Sequence, residues 1–259
     1  MAGSASSSPL KHSPTGLGTP YGYRSGTGMV PSAEYSVMMD DFLLSFIPAV
    51  AITNGPVAFT PSGWQGAIID TGGTVAVNTT AALGAQGVLT FADATASEGA
   101  AIYGQKSIQL TAGKKFWMEI RVRTGDVADN AVQFGLSALT AVSNPEDIWT
   151  TAAASLIAFG LLDGSAYPQL LADAADSGST AETQTVRLMT VDTWHILAIY
   201  FDGARLHAFV DGKRVMTWAQ AATTIPTGVA LAPFIGHING NGGGAAVVIV
   251  DYIRWASER

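Results

Sequence analysis

The sequence predicts an all-β protein, a two-sheet antiparallel sandwich with an extended N-terminal arm. Three observations carry this reading. From Met38 onward, short apolar stretches alternate with clusters of Gly, Asn, Asp and Ser, and no long stretch holds a helical period. Two Asp-Gly pairs, Asp202-Gly203 and Asp211-Gly212, separate three strand-like runs between Trp194 and Trp218. The first 36 residues, by contrast, are rich in Gly, Ser, Pro and Thr and show no hydrophobic periodicity.

Composition sets the bounds. The chain has 259 residues, 48% hydrophobic and 13% charged, which suits one large β domain plus a tail. A folded part of about 220 residues buries roughly 70% of its unfolded surface. It needs no disulfide or metal for stability, and the chain has no cysteine. The formal net charge of -7 argues against nonspecific nucleic-acid binding, which requires a basic surface. The first 20 residues hold no apolar stretch of the signal-peptide kind. The longest apolar run, Phe42 to Ile52, is too short to cross a bilayer and contains Pro48. The expectation is a soluble protein with no nucleic-acid or membrane partner, leaving its cell by a route such as lysis.

The arm, residues 1–36, carries Lys11, His12 and Arg24 and no acid before Glu34. It has too little apolar surface to offset the entropy of ordering, so alone it is expected to be disordered. A partner surface is its natural holder, with Lys11, Tyr21, Tyr23, Arg24 and Tyr35 as the expected contacts. The run Phe42 to Ile52 reads as an early strand or as a surface buried against a neighbour. Strands are expected over 64–69, 74–78, 87–91, 100–103, 107–110, 115–123, 130–138 and 155–162. Further strands are expected over 168–172, 184–190, 194–201, 205–210, 213–218, 230–238 and 245–255. Asn144 to Trp149 reads as a short helical turn, and Gly236 to Ala246 as a flexible loop between the last two strands. No repeat, heptad or second composition break appears, so residues 37–259 read as one domain.

The most informative text is WHILAIYFDGARLHAFVDGKRVMTW, Trp194 to Trp218. Asp-Gly between alternating apolar residues signals tight hairpins, because both turn residues need positive φ. The three runs therefore form a meander. In the first, Trp194, Ile196, Ala198 and Tyr200 share one face, and His195, Leu197, Ile199 and Phe201 the other. Both faces are mostly apolar, which places this strand centrally. This stretch resembles the back-sheet meander of laminin-G, pentraxin and related concanavalin-like domains. The end of the chain, VVIVDYIRW (Val247 to Trp255), is similar to the closing strand of the same superfamily, including laminarinase-type glucanases. The resemblance implies a jelly-roll sandwich over about residues 38–255, with its last strand lying beside early ones. It implies little about function, since the fold hosts lectins, hydrolases, lyases and structural modules.

Glucanases of this superfamily carry their acids at alternate positions of one strand, where two carboxyl groups flank a sugar bond. The nearest match is KFWMEIRVR, Lys115 to Arg123. Its outward residues are Trp117, Glu119, Arg121 and Arg123, so Glu119 stands among arginines and lacks a second acid. Arginine beside a carboxylate lowers its pKa, which spoils it as a general acid near neutrality. The expectation is that the protein is not an enzyme. A hydrolase or lyase would have to assemble groups such as His195, Tyr200 and Arg121, which no spacing joins. Trp117, Glu119, Arg121 and Arg123 read instead as a carbohydrate-binding face. The plainer reading of the same four is sheet surface or a contact with a neighbouring subunit. Trp64, Trp149 and Tyr167 are further aromatic candidates for sugar stacking.

Nothing in the sequence calls for a cofactor. His12, His195, His207 and His237 do not cluster, and zinc needs three or four converging ligands. Asp163, Asp173, Asp176 and Asn239 offer oxygens for calcium without the spacing of a calcium loop. No nucleophile elbow or phosphate loop is present. The functional expectation is a structural protein of a bacteriophage virion, a capsid decoration protein anchored on the major capsid or another virion protein through its arm. Self-association, with a trimer as one form, and surface glycans complete the expected partners. The alternative is a lectin-like adhesin or receptor-binding module.

Overall fold

The computed structural model describes residues 35–40, 57–59, 64–69, 74–78, 88–93, 99–124, 130–138, 155–161, 169–175, 182–188, 192–218, 225–239 and 246–258. These residues form strands and connecting turns, with no helix among them. Two antiparallel sheets face each other. Along the first sheet lie β15 (Lys213–Trp218), β14 (Leu206–Val210), β13 (His195–Phe201), β8 (Phe116–Thr124), β17 (Ala246–Glu258), β5 (Val88–Asp93) and β4 (Thr74–Asn78). Strand β1 (Tyr35–Asp40) joins this sheet on the far half of β17, with Tyr35 opposite Glu258 and Asp40 opposite Ile253. Along the second sheet lie β12 (Glu182–Leu188), β11 (Gln169–Ala175), β10 (Leu156–Leu161), β9 (Asn130–Ser137), β16 (Ala230–Asn239), β6 (Gly99–Tyr103), β3 (Trp64–Ile69) and β2 (Val57–Phe59). The short β7 (Ile108–Gln109) pairs with the start of β16.

The core lies between the sheets and follows from period-two alternation. Met118, Ile120 and Val122 of β8, Leu197, Ile199 and Phe201 of β13, and Ile253 and Trp255 of β17 point inward from the first sheet. Phe134 and Leu136 of β9, Ile157 and Phe159 of β10, and Ile235 of β16 meet them from the second. Burial of each large side chain contributes about 1.5–3 kcal/mol.

The all-β sandwich expected from the sequence is the one observed. Every strand read from the sequence over residues 64–255 has a counterpart within a few residues. Strand β13 lies inside the first sheet, between β14 and β8, and the meander is β13-β14-β15. The last strand returns beside early ones, pairing with β1, β5 and β8. Two strands were not legible. β2 spans only Val57–Phe59, too short for alternation to show. β1 begins at Tyr35, so Tyr35 and Ser36, read as the end of the arm, sit in the sheet. Lys11, Tyr21, Tyr23 and Arg24, the run 42–52 and the turn 144–149 lie outside the described residues. His237, expected near a loop, is a buried residue of β16.

The two Asp-Gly turns differ. Asp211 and Gly212 both take positive φ, 49° and 75°, as a tight two-residue hairpin requires. At the other turn only Gly203 does, at 97°. There Phe201 pairs with Leu206, which leaves a four-residue loop. The Asp202 carboxylate holds that loop by accepting the backbone N–H groups of Ala204 (2.8 Å) and Arg205 (2.6 Å). Gly203 is required there, because a Cβ would stand 2.8 Å from the Gly113 carbonyl carbon.

Candidate functional site

The densest group of charged and aromatic side chains among the described residues lies on the outer face of the first sheet. Alternation along β8 sends Phe116, Met118, Ile120 and Val122 to the core and Trp117, Glu119, Arg121 and Arg123 outward. The register sets Glu119 between Ala198 of β13 and Arg254 of β17, and Arg121 between Ile196 and Tyr252. A β-bulge makes the second pairing possible. The register of β17 against β8 shifts between Val250 and Tyr252. Before the shift, Val248 and Val250 point into the core; after it, Ile253 and Trp255 do. Asp251 is the extra residue that turns Tyr252 and Arg254 outward.

The inner part of this face is buried. Glu119 has 0% of its surface exposed and Trp117 has 7%. The Tyr252 hydroxyl donates to Glu119 Oε1 at 2.8 Å, and Arg254 forms an ion pair with the same oxygen. Burial pushes the Glu119 carboxyl above its ordinary range, against the opposing pull of Arg254 and the Tyr252 hydrogen bond. Burial and then the charge of Glu119 push the Tyr252 phenol up as well. The Arg254 guanidinium lies over the rings of Trp117 (4.9 Å) and Tyr252 (5.3 Å). Glu119 Oε2, Trp117 Nε1 and Arg254 Nε are buried without hydrogen-bond partners.

The outer part is more open. Arg121 stands 4.5 Å over the Trp194 ring and pairs with Asp251 at 2.5 Å. Arg123 lies 5.6 Å from the same ring centre. Trp194 precedes β13 and is half-buried, as is Arg123, while the Arg121 side chain is 37% exposed. Trp194, Arg121 and Arg123 thus form a ledge whose arginines are held by an aromatic face.

Of the four residues expected to form a carbohydrate-binding face, all share the outer side of β8, but only Arg121 and Arg123 reach solvent. A lowered Glu119 pKa is also expected from its strand neighbour Arg121. The structure corrects this: its partner is Arg254 from β17, and burial raises the carboxyl. Trp194 was read from the sequence only as a strand residue; its place beside two arginines depends on the β8–β13 register.

Other groups remain local. His207 Nδ1 meets Thr217 Oγ1 at 2.9 Å, its Nε2 meets Asp202 Oδ2 at 3.2 Å, and its ring stacks on Tyr200 at 5.9 Å. Burial raises the Asp202 carboxyl, but the N–H groups of Arg205 and Ala204 and the neighbouring His207 bring it below its ordinary range. His195 Nδ1 meets Asp211 Oδ2 at 3.0 Å on the inward side of β13. His195 and Tyr200 therefore point to opposite faces, and the set His195, Tyr200 and Arg121 does not assemble. Asp173 and Asn239 lie on strands separated by β10 and β9, roughly 14 Å apart. Trp64 lies in β3, while Asp163, Asp176, Trp149, Tyr167 and His12 are outside the described residues. No three His, Cys, Asp or Glu residues converge as metal ligands among the described residues.

No family model matches the chain, and no curated protein does. Solved structures do. The carbohydrate recognition domain of Emp47p superposes with a TM-score of 0.57 at 12% identity, covering 87% of this chain and 98% of that one. Rv0315 of Mycobacterium tuberculosis, an immunostimulatory antigen and pseudo beta-1,3-glucanase, gives 0.56 at 15% identity over 86% of this chain and 98% of its own. The beta-glucanase of Bacillus licheniformis gives 0.51 at 12% identity over 85% and 97%. The fold is the concanavalin-like jelly roll. At these identities the likeness shows the fold alone. It does overturn one expectation. The sequence was read as that of a non-enzyme, yet this architecture is shared with a beta-glucanase, so the fold is one that carries glycosidase activity.

Proposed function

We propose that the protein is a carbohydrate-binding jelly roll whose contact surface is the Trp194–Arg121–Arg123 ledge. The observation that carries this reading is two guanidinium groups held over one half-buried indole on the face of a sheet. Guanidinium N–H groups donate to sugar hydroxyls, and an indole offers an apolar edge to sugar C–H groups. Glu119, Tyr252 and Arg254 lie beside the ledge on the same face and tie β8 to β17. The likeness to a carbohydrate recognition domain along nearly its whole length adds to the reading. A glycan array probed with the full chain tests it, followed by titration of any bound glycan against Trp194→Ala. The expected result is at least a tenfold loss, about 1.4 kcal/mol. Absence of binding to any glycan, or an unweakened Trp194→Ala, removes the reading. Release of reducing sugar from a bound glycan would make the surface part of a catalytic site.

A second reading places this sandwich on a bacteriophage virion as a decoration protein, held by residues 1–34 on the major capsid or another virion protein and associating with its own copies. What favours it is the low-complexity segment rich in Gly, Ser, Pro and Thr that leads directly into β1 at the edge of β17. An arm that engages several subunits gains affinity by avidity. Gradient sedimentation of the native source with mass spectrometry checks it. Co-migration with particles, lost on deletion of residues 1–34, is expected; a species that remains at the top of the gradient refutes it.

A further inference from the structure

One cation of the ledge has no ionic partner among the described residues, and it identifies a class of ligand. Arg121, Arg123 and Arg254 share the outer face with Glu119 and Asp251. Glu119 is taken by Arg254 and Asp251 by Arg121. Among the described residues Arg123 is the one of these three arginines without an ion pair, and its contact is the Trp194 ring. Asp192 is exposed in the turn beside the end of β8, where its N–H bonds the Thr124 carbonyl, and it forms no ion pair with Arg123. Arg123 also has a buried Nε without an acceptor. The chain as a whole carries a net charge of -7, so this uncompensated cation runs against its general electrostatics.

We infer that the ledge binds an acidic saccharide, with Arg123 receiving a carboxylate or sulfate group carried on the sugar ring. The inference rests on the carbohydrate reading above and adds the charge of the ligand. Arginine suits this role because its planar fork meets the two oxygens of a carboxylate or sulfate together. Contact with the indole orients that fork before the ligand arrives, which lowers the ordering cost of binding. Arg121 is already engaged with Asp251, so it orients and donates to hydroxyls, while Arg123 supplies the free charge.

The test titrates the full chain with three probes: polygalacturonate, dextran sulfate and uncharged dextran. The expected result is at least tenfold tighter binding of one acidic probe than of dextran, weakening as salt is added. Preference for polygalacturonate identifies uronates, and preference for dextran sulfate identifies sulfated sugars. Arg123→Gln should bring the ratio of acidic to neutral binding close to one, and Arg123→Lys, which keeps the charge but loses the fork, should leave an intermediate ratio. Unchanged urea midpoints for both variants exclude misfolding as the cause; if Arg123→Gln is unstable, the Arg123→Lys ratio and the salt dependence of the unmodified chain decide. Equal binding of all three probes, or an Arg123→Gln ratio equal to that of the unmodified chain, overturns the inference. Binding of dextran without the acidic probes overturns the charge assignment and leaves the carbohydrate reading standing. If no probe and no array glycan binds, both fall.

Discussion

Arg254→Met isolates the buried ion pair beside the ledge. Methionine keeps the length of the stem over Trp117 and removes the charge. Glu119, with no exposed surface, would then keep only the Tyr252 hydroxyl at 2.8 Å. Removing one partner of a buried pair costs about 3–5 kcal/mol, because the other charge stays desolvated. For a sandwich of this size that is a fall in Tm of roughly 10 °C. The loss should depend on pH. Burial already raises the Glu119 carboxyl, and removing Arg254, which opposes that shift, raises it further. A carboxyl whose folded pKa lies above its unfolded value binds its proton more readily in the folded state. Stability therefore falls as pH rises from the unfolded pKa, about 4.3, through the folded one. Urea denaturation followed by tryptophan fluorescence should show the variant close to the unmodified chain at pH 4.5 and strongly destabilised at pH 7.5. Adding Glu119→Gln should recover most of the loss at pH 7.5, since no charge is then stranded. A loss under about 1 kcal/mol at pH 7.5, or a double variant no more stable than the single one, would refute this account of the pair.

Other expectations follow from the same packing. His237 is buried in β16, and desolvation pulls its pKa from 6.5 down to about 4. The unfolded chain binds the proton first, so stability should drop by about 3 kcal/mol as pH falls from 6.5 to 4; a His237→Gln chain that loses as much over that window would contradict it. Gly135→Ala should prevent folding or cost about 3 kcal/mol, since a Cβ would stand 2.0 Å from the Ile157 carbonyl oxygen and 2.7 Å from Ala158 Cα. Soluble expression with an unshifted thermal midpoint would show that this approach of β9 to β10 relaxes freely. Asp211→Ala removes the acceptor of the Ile196 N–H (3.0 Å) and the partner of His195 (3.0 Å). A loss of about 1–3 kcal/mol is expected, read as a lower urea midpoint, and a midpoint within error of the unmodified chain would contradict it.

The fold was legible because alternation and turn chemistry are local properties. Spacing alone puts Leu197, Ile199 and Phe201 on one face of a strand, and Asp211-Gly212 announces its hairpin. The ledge was half legible. Alternation along Lys115 to Arg123 put Arg121 and Arg123 on the outer face, and no local signal said how deeply Trp117 and Glu119 would be covered. Burial depends on the neighbouring strands, and Arg254 lies 135 positions beyond Glu119 (254 − 119). The register shift of β17 left no trace in alternation, because Val247 to Val250 are apolar at every position and only Ile253 and Trp255 beyond Asp251 alternate. Trp194 was visible as an aromatic but not as part of a site, because only the β8–β13 register brings it to the arginines.

The pairing of β1 with β17 also has a mechanical meaning. Tyr35 lies opposite Glu258, so the start of β1 and the end of β17 lie at the same end of the first sheet. Antiparallel hydrogen bonds stand perpendicular to their strands. Tension between those two ends would peel the six-residue ladder open one pair after another, at low force. Tension between the segment before β1 and the opposite end of the sandwich would load the same ladder in shear, with its bonds sharing the force. A tether entering through β1 therefore holds best when the load on the sandwich is directed along the strands.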